Sequence, residues 1–163
     1  MPEDAPIIQK PTIRVDADAC AGTVRRSLEQ ISRKMKLALI FYIDDSHELQ
    51  PEYGQVQQVG KGRDAVDLAL INQTRPGDIV ITQDYGLAAL VLGRRARAIH
   101  PSGMAYTNEN IDRLLMERHY SAKARQAGER TRNQKKRQKS DDLKFDEQFM
   151  RQLESLLDID VLM

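Results

Sequence analysis

The residues of this sequence best suited to chemistry are aspartates placed where short apolar runs stop. Ile79-Val80-Ile81-Thr82-Gln83 leads into Asp84, Ile13-Arg14-Val15 leads into Asp16 and Asp18, and the run from Leu37 to Ile43 leads into Asp44 and Asp45. In open α/β sheets ligands bind outside the carboxyl ends of the strands. If these runs are parallel neighbours, up to five carboxylates crowd one edge of the sheet, and such a cluster needs a cation. Asp64 and Asp67, three apart, share one side of the helix predicted around them. Hydrolysis of a phosphodiester needs a hydroxide nucleophile at neutral pH and charge neutralisation on the phosphate, and one or two Mg²⁺ or Mn²⁺ ions supply both. These hard cations take oxygen ligands. Asp16, Asp18, Asp64, Asp67 and Asp84 are therefore the expected metal ligands, with Asp16, Asp64, Asp67 and Asp84 as the catalytic set. Thr82 is placed to orient a ligand or water from behind. Lys61 and Arg63, beside Gly60 and Gly62, are placed to hold substrate phosphates.

At 163 residues with 40% hydrophobic content, the chain is long enough for one domain with a proper core. No apolar run approaches the roughly 20 residues that span a bilayer, and the start of the chain is polar and proline-containing, unlike a signal peptide. No membrane partner and a cytoplasmic location are expected. The single cysteine, Cys20, excludes an intrachain disulfide and leaves too few thiols for a zinc cluster; it reads as a small buried residue. His47, His100 and His119 lack metal-ligand spacing. Net charge is only +1, but its placement is uneven. Between Tyr120 and Ser140, eight cations face only Glu129, and Arg132, Lys135, Lys136 and Arg137 within that stretch are further candidates for phosphate contact. A basic run of this kind is often only solvated, yet it would bind RNA or DNA phosphates in a salt-dependent way. Aromatics are too few for a stacking platform.

The elements that must position these groups alternate. Residues 1–11, with three prolines, read as a disordered leader. Ile13 to Val15 is a short buried strand, and Val24, Leu28, Ile31 and Met35 recur at helical spacing. Leu37 to Ile43 is apolar throughout, as expected of a strand covered on both faces, and Gln55 to Val59 is a weak strand, placed at an edge. A helix follows with Asp64 as its N-cap, then the strand Ile79 to Thr82, a helix from Leu87 to Leu92 stopped by Gly93, and a strand from Ala96 to Ile99. Thr107 caps a helix carrying Ile111, Leu114, Leu115 and Met116. Residues 121–142 form a basic linker, and residues 143–163 a C-terminal amphipathic helix packing on the domain at 12–120. Helices alternating with short strands predict a three-layer α/β/α sandwich with a mostly parallel central sheet.

The strings VDADAC (Val15 to Cys20), GRDAVD (Gly62 to Asp67), GDIVITQDYGLAALV (Gly77 to Val91) and HPSGMAYTNENI (His100 to Ile111) closely resemble the YaiI/YqxD-like family of bacterial proteins. That family is similar to the PIN-like nuclease superfamily, whose acidic residues sit at strand ends and chelate divalent metal. The resemblance implies a PIN-like fold, with Asp16, Asp64 or Asp67, and Asp84 as the PIN-type acids and Asp18 as an accessory. The chain departs from the family where Ala21 replaces a usual proline, where Asp44 stands for a commoner asparagine, and where Thr131-Arg132-Asn133-Gln134 replaces Thr-Gly-Gly-Pro.

Each residue also has a plainer role: Asp64 as a helix cap, Asp16 as a strand-end turn former. Taken together, the reading is a metal-dependent nuclease using Mg²⁺ or Mn²⁺, with RNA expected as partner in preference to DNA. The rival readings are a non-catalytic nucleic-acid-binding protein on the same scaffold and a metal-dependent phosphatase or nucleotidase acting on small substrates.

Overall fold

Leu39-Ile40-Phe41-Tyr42-Ile43 has no polar face because both of its faces are covered. The computed structural model describes residues 10–128 and 136–161, and in it this run is strand β2 (Leu39–Ile43), the second strand of a six-stranded sheet. Its neighbours are β1 (Ile13–Asp16) and β3 (Gln55–Gln58), followed in the chain by β4 (Ile79–Ile81), β5 (Arg97–Ile99) and β6 (Ala105–Tyr106). The spatial order is β3-β2-β1-β4-β5-β6. All pairs are parallel except β5 with β6. Register is fixed by pairs such as Ile13 with Leu39 and Ile79, and Val15 with Phe41 and Ile81.

Strand side chains alternate between faces, and here each parity has its own helical layer. Ile13, Val15, Leu39, Phe41, Ile79, Ile81 and Ile99 pack with Val24 and Leu28 of α1 (Gly22–Met35) and with Phe145, Phe149 and Leu153 of α5 (Lys139–Val161). Tyr42, Val80 and Ala98 pack instead against α2 (Arg63–Gln73), α3 (Tyr85–Gly93) and α4 (Ile111–Gln126). The result is the three-layer α/β/α sandwich with a mostly parallel sheet. Arg14 is one of two charged members of β1, the other being Asp16 at its end. Arg14 is buried and donates to Asp78 at 2.9 Å and to the Tyr42 hydroxyl at 2.8 Å, while Asp78 also accepts the amides of Thr12 and Arg75. Every group of that network has a partner, as burial of charge requires.

Several boundaries differ from those the sequence predicts. Leu37 and Ala38 precede β2, and Thr82 lies just beyond β4. Asp64 is not the N-cap of α2: Gly62, at φ 92°, occupies that place, and Asp64 falls in the first helical turn. Gly62 takes a backbone conformation that an aspartate would resist. Thr107 does not cap α4 alone; Asn110 is the N-cap residue, and the two exchange side-chain-to-amide bonds at 2.8 and 3.1 Å. α4 continues to Gln126 and α5 begins at Lys139, so the stretch 121–142 starts and ends in helix. Residues 1–9, and Arg132 and Lys135 of the basic stretch, lie outside the described residues. α5 can lie close over the turn at 100–103 because Gly103, at φ +96°, has no side chain; a Cβ there would meet the Lys144 backbone at 2.6 Å.

Candidate active site

The sheet order changes direction at β1. The chain runs outward from β1 to β2 and β3, then returns to lay β4 on the other side of β1. The crevice outside the carboxyl ends of β1 and β4 is thus the topological switch point, where open α/β sheets bind ligands. Asp16 ends β1 and Asp84 follows β4 by three residues. Dinucleotide-binding sheets carry glycines after the first strand; this chain carries Asp16-Ala17-Asp18, which would repel a phosphate without a cation between them.

Thr82 joins the two strand ends. Its buried hydroxyl donates to Asp16 Oδ2 at 3.0 Å and accepts the Asp84 amide at 3.0 Å. Asp84 is the N-cap of α3, its Oδ1 accepting the Leu87 amide at 3.0 Å, and Arg118 of α4 reaches the same oxygen at 3.4 Å. Tyr106 locks the end of β4 by donating its hydroxyl to the Thr82 carbonyl at 3.0 Å, and it packs edge-on against Tyr85. Burial pushes the Tyr106 phenol up, so that hydroxyl remains a donor.

In front of Asp84 lies a cleft of about 490 Å³. It is lined by Asp64 and Asp67 of α2, by Gln83, Tyr85 and His100, and by Arg118 and Arg125 of α4. The structure therefore brings Asp64, Asp67 and Asp84 to one cleft, with Asp16 linked to Asp84 through Thr82. Lys61 is exposed in the loop before α2 and is not among the residues lining the cleft. The side chain of Arg63 lies outside the described set. Lys136 is exposed, and Arg137 is engaged: it donates to Asp142 at 2.6 Å and to the Pro101 carbonyl at 2.9 Å.

Asp18 goes elsewhere. The single 3-10 turn Ala17–Ala19 carries it toward the end of β2, where His47 Nδ1 lies 3.2 Å from Asp18 and 2.7 Å from Asp44. Among the described residues, Asp18, Asp44 and His47 are the one acid-and-histidine trio whose ligand atoms all lie within 4.8 Å of one another; Asp16, Asp64, Asp67 and Asp84 do not converge that far. Hydrogen bonds from Ser46 and His47 hold Asp44 below the usual carboxylate range, and Asp44, then Asp18, push His47 above its ordinary value. His47 Nδ1 is thus engaged with Asp44, and a metal there would have to displace its proton.

The acids facing the cleft, Asp64, Asp67 and Asp84, offer carboxylate oxygens, the type that suits Mg²⁺ or Mn²⁺. Mg²⁺ commonly binds through one or two carboxylates and keeps several waters, so an open arrangement fits it better than a tight cage. Burial pushes the Cys20 thiol up to about 12, with Arg137 and Arg25 opposing and Asp16 adding to the effect, which disfavours the thiolate that a nucleophile needs.

Gln83, Tyr85, His100, Arg118 and Arg125 are cleft residues that the sequence does not single out. Arg118 and Arg125 are seven apart, two helical turns on one face, a signal that becomes readable only if α4 is extended past Tyr120.

The family profile described as "Uncharacterized BCR, YaiI/YqxD family" matches residues 14–155. A UPF0178 protein of Lachnoclostridium phytofermentans is 45% identical over 147 residues, covering 88% of this chain and 97% of the relative. A UPF0178 protein of Clostridium novyi is 49% identical over 133 residues, covering 82% and 88%, and one of Clostridium tetani 48% identical over 130 residues, covering 80% and 88%. No solved structure gives a significant match. A profile spanning the chain from β1 to α5, with relatives of this identity aligned over nearly their whole length, makes the chain a member of the YaiI/YqxD family.

Proposed function

We propose that the protein is a divalent-metal-dependent phosphodiester hydrolase of PIN-like type, a nuclease acting on RNA in preference to DNA. The observation that carries this reading is the Asp16–Thr82–Asp84 chain of hydrogen bonds across the switch point. It ties the Asp16 carboxylate at the end of β1 to the backbone amide of Asp84 beyond β4, at the place where the fold admits a ligand. Asp64 and Asp67 supply acids from the opposite wall. Bound by Asp16 and Asp84, Mg²⁺ or Mn²⁺ would neutralise phosphate charge and favour ionisation of an attacking water. Thr82 orients the Asp16 carboxylate and fixes the Asp84 backbone, and Arg118 and Arg125, which also line the cleft, are set to hold phosphate oxygens.

A second reading is favoured by one observation, the Asp18–Asp44–His47 trio. If a cation sits there, it is structural, and the protein binds nucleic acid without cutting it. Cleavage of labelled single-stranded RNA and DNA in Mn²⁺, Mg²⁺ or EDTA separates the two. The nuclease reading expects metal-dependent cleavage abolished by Asp16→Asn and by Asp84→Asn. Tight binding without cleavage in any metal would favour the second.

A further inference from the structure

The cleft in front of Asp84 does not end at His100. A second cleft of about 500 Å³ opens beside it, and Gln83 and His100 belong to the walls of both. Each cleft alone has the size of an ordinary small-molecule site. Joined along the carboxyl ends of β4 and β5, they exceed what a phosphomonoester fills.

Their chemistry differs in a way that suits two phosphates in different roles. The first cleft holds three carboxylates, acceptable to a phosphate only through a cation. The second is lined by Arg137, His100 and Ser102, with Asp141 as its acid. Asp141 is committed to the start of α5, its Oδ2 accepting the Gln138 amide at 2.8 Å. Arg137 spends its Nε on Asp142 and Nη1 on the Pro101 carbonyl, while its buried Nη2 finds no acceptor among the described residues. A buried guanidinium nitrogen without an acceptor is costly, and an anion in the cleft would relieve that cost. His100 adds a neutral donor. Its Nδ1 accepts the Ser102 amide at 3.0 Å, so the ring proton must be on Nε2. Burial, assisted by the Arg137 charge, holds its pKa below the ordinary value.

We propose that the two clefts are consecutive subsites of one track, the Arg137–His100 wall taking a phosphate adjacent to the scissile one, so that the substrate is a single-stranded polynucleotide rather than a mononucleotide. The role of the first cleft rests on the proposed hydrolase reading; the second cleft's anion binding does not. A strand enters such grooves without unpairing, whereas a duplex must open first.

The test measures binding of a labelled single-stranded octanucleotide, as RNA and as DNA, across a salt series in Ca²⁺ and in EDTA, beside Mn²⁺-dependent turnover of bis(p-nitrophenyl) phosphate. Arg137→Ala removes the guanidinium. Ser102→Glu adds a repelling charge while leaving the bonds of Arg137 intact, which covers the case in which Arg137→Ala loosens α5. Arg113→Glu, on the exposed surface of α4, controls for net charge. The expected result is weaker octanucleotide binding in both cleft variants, with the slope of log affinity against log salt reduced by about 1 for Arg137→Ala. Arg113→Glu alters neither octanucleotide binding nor turnover of the small diester. Octanucleotide affinity indifferent to both cleft variants would overturn the proposal, as would equal or tighter binding of the matching duplex. Absence of turnover of any phosphodiester would instead defeat the hydrolase reading, and the binding arms would still decide the second subsite.

Discussion

Thr82 donates its hydroxyl to Asp16 at 3.0 Å, across 66 positions of sequence. Because the same oxygen receives the amide of Asp84, it holds the acid at the end of β1 at a set position relative to the acid that follows β4.

Thr82→Val keeps the branched shape and deletes the bridge. Groups that orient metal ligands typically carry about 10–100-fold in metal affinity or activity, so Mn²⁺ affinity and cleavage rate should each fall by about that factor, and the lost buried bonds should cost about 1–3 kcal/mol of stability. Unchanged activity in Thr82→Val would mean that the bridge is a fold feature alone.

The two histidines near the sheet edge should titrate in opposite directions. His47, bonded to Asp44 and near Asp18, is raised above the ordinary 6.5. The folded state then binds more protons than the unfolded chain between 6.5 and the raised value, so the contribution of His47 to stability is complete below 6.5 and is lost as pH rises through that interval. His100, buried and beside Arg137, is lowered from 6.5. Its unfolded form takes the proton first, so stability falls as pH drops from 6.5 through the lowered value. A two-dimensional NMR titration of the ring protons reads both directly. Asp44→Asn should bring His47 back toward 6.5, and Arg137→Ala should raise His100. Coincident titration of the two rings would contradict this electrostatic account.

Arg14→Met should destabilise the protein strongly without touching the cleft. It leaves Asp78 buried without its guanidinium, and breaking a buried pair on one side costs about 3–5 kcal/mol. Asp78 retains the amides of Thr12 and Arg75, which places the expected loss near the lower end, about 3 kcal/mol. Urea unfolding measures it. A loss below about 1 kcal/mol, the level of an exposed ion pair, would show that the network is open to water.

Much of this architecture is legible in the residue pattern, for identifiable reasons. A parallel strand buried on both faces must be apolar throughout, which makes β2 visible in Leu39 to Ile43. Asp16 and Asp84 stand where such strands stop, so their placement at one sheet edge follows once β1 and β4 are neighbours. β6 is only two residues long, too short for any periodicity. The separation of Asp18 from Asp16 depends on a single 3-10 turn, and the reach of Asp44 and His47 toward it is tertiary. Arg118 and Arg125 face the cleft because α4 continues beyond its last apolar anchor, through charged residues that read equally well as a linker. The role of His100 depends on the turn that presents Ser102 to its Nδ1, an arrangement with no trace in spacing.

The location of the metal is the point on which the account stands. Titration of Mn²⁺ into the apoprotein by calorimetry, with wild type beside Asp16→Asn, Asp84→Asn and Asp44→Asn, measures it directly. Binding should be lost or weakened at least tenfold in Asp16→Asn and Asp84→Asn and retained in Asp44→Asn. Binding retained in Asp84→Asn and lost in Asp44→Asn would place the ion with Asp18 and His47 and contradict the proposed active site.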